Sequence, residues 1–426
     1  MLLLGYMSQN KHNGFICGEA SLAVRAFVPR KASLFGLFYL LALTLWTATS
    51  AHADDKDAFN VIAGINWQHD NNIFRVPDGF NLGSAKRSDQ ITSGFVGVRI
   101  DKLYALQYFR FYYTHSANRF QNNSDLKFDT NEYKAAWLWA LTPYLTGNLS
   151  SESNESRDTS QDISGQNRFN VRTTENQRFD ADWSPYGNWH LLGGVARYRL
   201  KNSQSLNGQS DYTQNSVNGG LKYVYASGSS MSVIGYGRSA TYDQRQLVAT
   251  SQLDTGFGER EVDANLNWIL TGKSRLNLTV GYLHRGYDHF SQRNFSQPLG
   301  SAEYSWAPTG RLRVSAIAAR QVAGYESTTS NYTVRDSLGI TPTWAITDKI
   351  SLQGNASIAN RKFRGNGIGG TLAREDSEKS ASIGINWLPT RYLTLGANLQ
   401  HSMRSSNQPG IDYKDTTAGV SAQLLF

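Results

Sequence analysis

The sequence predicts an all-β chain: a transmembrane antiparallel β-barrel of the bacterial outer membrane, with about 18 strands (range 16–18). Three observations carry this prediction. A tryptophan-and-turn unit recurs roughly every 40 residues, apolar and polar residues alternate with period 2, and the chain ends on an aromatic residue. A fixed period near 40 marks a repeated supersecondary unit, here a β-hairpin with one short turn and one longer loop.

Taken in chain order, the first segment reads as a signal peptide. Arg30 and Lys31 precede the apolar run Leu34 to Trp46, and Ala51-His52-Ala53 offers a small-residue cleavage site. Residues 1–53 are therefore expected to be removed, the stretch from Met1 to about Val28 being an over-long start, leaving 54–426 as a single barrel domain. Export discards Cys17, the only cysteine. The mature chain then has no disulfide framework and no thiolate metal site.

The first strand is expected over Phe59 to His69. Paired strands then flank eight short turns near residues 101, 141, 185, 227, 271, 308, 347 and 389. Six turns follow a tryptophan: Trp139-Ala-Leu-Thr142-Pro143, Trp183-Ser-Pro185, Trp268-Ile-Leu-Thr271-Gly272, Trp306-Ala-Pro308-Thr309, Trp344-Ala-Ile-Thr347-Asp348 and Trp387-Leu-Pro389-Thr390. These tryptophans lie 44, 85, 38, 38 and 43 positions apart, and Tyr225-Ala-Ser227-Gly228 halves the 85. A slot without tryptophan falls at Ile100-Asp101-Lys102. The other connections are longer and polar: 70–87, 118–128, 154–167, 202–211, 244–256, 288–297, 325–331, 361–376 and 404–414. Short periplasmic turns and long external loops are the outer-membrane pattern, and two strands of about 9–11 residues fit each repeat.

Alternation identifies the two faces of each strand. Ala381, Ile383, Ile385 and Trp387 oppose Ser382, Gly384 and Asn386; Val262, Ala264, Leu266 and Trp268 oppose Asp263, Asn265 and Asn267. Half of every strand faces lipid and half a wet lumen, which explains a mean hydropathy of −0.45 in an aromatic-rich chain. Trp139, Trp183, Trp268, Trp306, Trp344 and Trp387 are expected to form a girdle at the periplasmic interface, with Trp189 opening the strand after its turn. The last strand, Thr416 to Phe426, ends on Phe426, a signal of the kind read by the outer-membrane assembly machinery.

The opposite face holds the candidate functional residues. Arg99, Arg110, Lys134, Arg172, Arg178, Lys222, Arg238, Arg275, Arg311 and Arg313 are assigned to the lumen, against the acids Glu132, Asp180, Asp182, Asp263 and Glu303. A basic excess inside a pore attracts anions. The mature net charge near +5 (38 basic against 33 acidic residues) is too mild and dispersed for a nucleic-acid binder.

No catalytic, cofactor or metal site is read from the sequence. Gly365-Asn-Gly367-Ile-Gly369-Gly370 has dinucleotide-loop spacing, but it sits in a predicted external loop with no helix after it. The histidines (His69, His115, His190, His284, His289, His401) are scattered; His284 and His289 are the nearest pair, without the convergent ligands a metal needs. A membrane-embedded lipid hydrolase requires an outward serine and histidine near the membrane boundary, and no pair stands out.

Trp67-Gln-His-Asp70-Asn71-Asn72-Ile73-Phe74-Arg75 resembles the first strand and loop of β-barrel porins encoded with exopolysaccharide loci. Phe295-Ser-Gln-Pro298-Leu-Gly300 and Trp306-Ala-Pro308-Thr-Gly310-Arg311-Leu312 are similar to that family's recurrent segments. These segments resemble EpsL-type outer-membrane proteins of exopolysaccharide biosynthesis and export. The resemblance implies a role in making or exporting an extracellular polysaccharide; together with the basic lumen this reads as a passive, net-basic pore or assembly scaffold whose partners are outer-membrane lipid, an acidic polysaccharide and periplasmic export proteins. The alternative from the residues is a general or anion-selective diffusion porin.

Overall fold

Eighteen strands form one antiparallel sheet that closes on itself, β1 pairing with both β2 and β18. The computed structural model describes residues 58–157, 170–204, 210–247, 250, 252–325, 329–365 and 373–426. The signal-peptide reading of 1–53, residues 158–167 of the expected loop 154–167, and most of the glycine-rich stretch after Gly365 lie outside the described residues.

The strands are β1 Phe59–Asp70, β2 Asp89–Tyr104, β3 Gln107–Phe120, β4 Phe128–Thr142, β5 Leu145–Arg157 and β6 Val171–Tyr186. They continue as β7 Trp189–Asn202, β8 Tyr212–Val224, β9 Ser230–Tyr242, β10 Gly256–Thr271, β11 Ser274–Tyr287 and β12 Phe295–Trp306. The last six are β13 Leu312–Gly324, β14 Tyr332–Ala345, β15 Ile350–Arg364, β16 Glu375–Trp387, β17 Leu393–Ser406 and β18 Tyr413–Leu425. The expected count of strands and the alternation of short turns with long loops are both present. One turn is displaced. The first slot, expected at 100–102, lies at Tyr104–Gln107, because Asp101 is still an inward strand residue, held by Arg99, Arg110 and the Tyr108 hydroxyl.

The closing seam is made by the two ends of the sheet. Ile65 stands opposite Ala422 and Trp67 opposite Val420, and Phe426 exchanges two backbone hydrogen bonds with Val61, at 2.7 and 2.8 Å. In lipid every backbone N–H and C=O must be satisfied within the protein, so this pairing is a condition of the fold.

Directly opposed residues share a face, so the registers sort the whole wall. On β10 the outward row Trp268, Leu266, Ala264, Val262 ends at Arg260; on β16 Trp387, Ile385, Ile383, Ala381 ends at Lys379; on β7 Trp189, Leu191, Gly193, Val195 ends at Arg197. Eight residues of strand span about 26 Å, or roughly 20 Å of membrane height at a tilt near 40°. Trp183, Trp268, Trp306, Trp344 and Trp387 are exposed on this face as a girdle requires. Trp139 differs. It faces outward but is only 7% exposed, stacked on Phe179 with ring centroids 5.7 Å apart.

Gly147 makes that burial possible. A Cβ there would lie 2.1 Å from the Asp180 carbonyl oxygen and 2.3 Å from the Trp139 ring, whereas a Cβ on outward Gly193 would meet nothing within 4 Å. Gly147→Ala should therefore cost about 1–3 kcal/mol by overpacking, read as a lower urea midpoint in detergent micelles. Gly193→Ala, on the same lipid-facing surface, should leave the midpoint unchanged.

Candidate functional site

The lumen is the only face on which charged side chains recur at mid-membrane height among the described residues. Arg99, Arg110, Lys134, Arg172, Arg178, Lys222, Arg238, Arg275 and Arg313 all lie on the inner face, as do the expected acids Glu132, Asp180, Asp182, Asp263 and Glu303. Arg311 does not. It precedes β13 in a short turn, and its guanidinium donates to the Ile346 carbonyl oxygen at 3.4 Å. The turn takes it because Thr309 Oγ1 accepts the Arg311 and Leu312 N–H groups, which starts the strand one residue later.

The expected basic excess on the wall is corrected by the acids that pair with these bases. Asp101 serves both Arg99 and Arg110; Asp180 takes Arg178; Asp182 takes Lys222 and His190. Glu152 faces Lys134 at 3.5 Å, and Glu261 binds Arg238 at 2.6 Å. Glu259 binds Arg285 at 2.6 Å, while Glu378 lies between Arg335 and Arg361 at 3.1 and 3.4 Å. Asp101, Glu152, Glu259, Glu261, Arg285, Arg335, Arg361, Asp376, Glu378, Arg404 and Asp415 were not assigned to the lumen from the sequence; the registers put them there. Inward acids and bases thus balance in number and most of them pair, so the strand wall carries no basic surplus. Arg275 and Arg313, near the periplasmic end, have no ion-pair partner among the described residues; Glu303 stands one layer deeper.

The wall is also uneven around its circumference. Ion pairs at mid-height concentrate on β2–β11. From β12 through β18 to β1 the inner face at that height is mainly hydroxyl and amide: Ser301, Thr341, Asn355, Ser382, Asn398, Ser421 and Asn66.

Two inward layers narrow the extracellular end. The connection 71–88 folds inward, packing Ile73, Phe74 and Val76 on Phe120 and Leu126, with Ile91 and Phe128 at the edge. Arg75, at φ 52°, ties this loop to two buried carboxylates, Asp70 at 3.0 Å and Asp415 at 2.9 Å. The fully buried Asn72 donates from Nδ2 to the carbonyls of Val76 and Lys414. On the other side Tyr242, Phe257, Leu283, Tyr287 and Phe295 form a buried cluster, with the Arg285 guanidinium 3.8 Å from the Phe257 ring centroid. External connections lock over this cluster. Arg293 donates to the carbonyls of Gln252 and Ser330, and Asp254 accepts N–H bonds from His289 and Phe290. Burial alone would raise the Asp254 carboxyl, but hydrogen bonds from His289, Phe290 and Gly256 reverse this and hold it below its ordinary value.

The chemical alternatives find no assembled site. His284 and His289 diverge, one bonding Ser296 Oγ on the outer face and the other Asp254. His284 and Ser296 form the outward pair that a hydrolase would need, at 2.8 Å. However, Arg260 stands opposite His284, and no carboxylate bonds the imidazole among the described residues. No group of three or more His, Cys, Asp or Glu side chains converges as a metal site among the described residues.

Residues 188–426 match the model of the family described as Putative beta-barrel porin 2, which covers more than half of the chain. Among solved structures the chain is similar to the outer-membrane protein OpdK of Pseudomonas aeruginosa, with 10% identity over 86% of this chain and 99% of that one and a TM-score of 0.49. It is also similar to OccK9 (OpdG) of P. aeruginosa, with 10% identity over 86% and 98% and a TM-score of 0.47. The siderophore receptor PirA of the same organism matches at 12% identity over 88% and 81%, with a TM-score of 0.43. No curated protein matches the chain.

Removing the clamp on the first loop tests its hold on the mouth. Arg75→Gln leaves two inward carboxylates sharing no cation. The cost should fall below the about 3–5 kcal/mol typical of a fully buried pair, because the Arg75 side chain is 23% exposed. The expected readout is faster proteolytic nicking within 71–88 in the intact barrel; an unchanged rate would mean that the apolar contacts alone hold the loop.

Proposed function

We propose a passive transport role for this protein, which belongs to the family described as Putative beta-barrel porin 2. In this reading it is an outer-membrane channel for polar solutes with weak charge selectivity. The carrying observation is the balance of lumen acids and bases, most of them paired, opposite a wall of hydroxyl and amide groups. Paired charges attract neither ion strongly at a distance, since their opposite fields largely cancel at distances large against the pair's own separation, and salt screens what remains within about 10 Å. The protein then needs no cofactor and turns over no substrate. Its mature chain begins near Asp54 after signal cleavage, and Phe426 presents the last strand to the assembly machinery.

A second reading is export of an exopolysaccharide, with periplasmic export proteins as partners. The segments around Trp67–Arg75 and Trp306–Leu312 favour it, as does the hydroxyl-and-amide sector, which offers hydrogen bonds to sugar hydroxyls without a fixed charge.

Two measurements separate these readings. Reconstituted in a planar bilayer under a KCl gradient, the protein should conduct with a reversal potential near zero. A strongly anion-selective potential would restore the basic-pore reading, and silence would sink the open-channel proposal. Deleting the gene should leave polymer trapped in the periplasm if export is the role; unchanged surface polysaccharide removes that second reading.

A further inference from the structure

The short-turn end of the barrel is electrically lopsided. Four consecutive turns, from β10–β11 to β16–β17, each present an exposed basic residue: Lys273, Arg311, Lys349 and Arg391. The turns are built alike. A threonine hydroxyl oxygen accepts the N–H two residues later, from Lys273 to Thr271 at 3.1 Å, Arg311 to Thr309 at 3.3 Å, Lys349 to Thr347 at 3.2 Å, and Tyr392 to Thr390 at 3.3 Å. Three of the cations then lean along the rim to a carbonyl of the next turn, Lys273 to Pro308, Arg311 to Ile346 and Lys349 to Pro389. None of the four has an ion-pair partner among the described residues, and Asp348 is the one acid in these turns. Arg275 and Arg313 continue the charge from this rim onto the inner wall. By contrast, the turns at 104–107, 142–145, 186–189 and 225–229 contain no charged residue and expose Tyr104, Tyr144 and Tyr186 instead.

We propose that this crescent is a docking surface for an acidic polysaccharide strand at the periplasmic mouth. Neighbouring turns are two strands apart, so at a strand tilt near 40° their cations repeat about every 12–13 Å along the rim. A row of cations at that spacing suits a long flexible polyanion, which can meet several of them at once where a small anion meets one. Membrane phospholipid is the competing anion. Anchoring to headgroups would call for cations around the whole circumference, yet half of the turns have none, and Arg275 and Arg313 carry the charge inward where headgroups cannot follow. The inference deepens the export reading and rests on it for the identity of the cargo, while binding at the rim is measurable whether or not the barrel conducts.

The test uses the full mature barrel in detergent, labelled polygalacturonate, and dextran of matched length as the neutral comparison. Polygalacturonate should bind and dextran should not, with affinity falling as salt rises. The variant K273Q/R311Q/K349Q/R391Q should bind about tenfold more weakly, and the charge-keeping K273R/R311K/K349R/R391K should bind as the parent does. Heat-modifiable mobility on gels confirms that each variant is a folded barrel. In a bilayer, polygalacturonate should reduce current from the short-turn side alone, and the glutamine variant should lose this block. Equal polygalacturonate binding by parent and glutamine variant overturns the proposal. So does a variant defect confined to anionic phospholipid vesicles, which would assign the crescent to the membrane. A silent bilayer with intact, variant-sensitive binding would remove the channel reading while leaving the dock.

Discussion

Backbone hydrogen bonding in a medium without water is the constraint from which the rest of this structure follows. A sheet with a free edge cannot sit in hydrocarbon, so the first and last strands must meet, and they do along Ile62–Asp70 and Thr417–Leu425. Closure fixes each residue as lipid-facing or lumen-facing, because a slip of one position would exchange every side chain on a strand. The Phe426 backbone completes the seam against Val61. Phe426 is therefore part of the closure.

Once the faces are fixed, the inner wall has its own electrostatic problem. Guanidinium groups on the inner wall face other strands a few ångström away, and a column of uncompensated cations would repel itself. The wall resolves this locally, with a carboxylate one strand over or two residues along, as in Arg99–Asp101–Arg110 and Arg335–Glu378–Arg361. Such pairs cost desolvation and contribute modest net stability. Their consequence here is a polar wall that is nearly neutral when seen from a distance.

The parts of the architecture written as periodicity were legible in the sequence. Strand number, the side of the tryptophans and the inward direction of Arg178, Lys222 and Arg238 all depend on a period of two, which a single strand displays by itself. Partnership depends on register between strands far apart in sequence, so Glu259 beside Arg285 and Glu378 between Arg335 and Arg361 could not be read. The inward fold of 71–88 was hidden for a similar reason. Ile73, Phe74 and Val76 look like isolated apolar residues in a polar loop, and their partner Phe120 looks like the end of an ordinary strand. Arg311 failed at a boundary, where Thr309 caps the turn and delays the strand. The basic turn residues were present in the sequence as Thr-Gly-Lys273, Thr-Gly-Arg311 and Thr-Asp-Lys349. They became a surface only when closure placed the turns side by side.

The two ends of the barrel use their charges in opposite ways, and this difference bears on direction. At the extracellular end Arg75, Arg285 and Arg374 are committed to inward carboxylates and packed against loops or aromatic rings. A cation held in that way is already compensated, and a passing anion would have to compete with a buried carboxylate for it. At the short-turn end Lys273, Arg311 and Lys349 donate only to neutral carbonyl oxygens in the bonds described. A carbonyl positions an ammonium or guanidinium without cancelling its charge, so an arriving anion need displace no counter-charge from the protein. Attraction is therefore available at the periplasmic mouth, while the loops narrow the opposite one. In a passive barrel that asymmetry supplies no energy, but under the docking proposal it would raise the local concentration of an acidic polymer on the side from which export would begin.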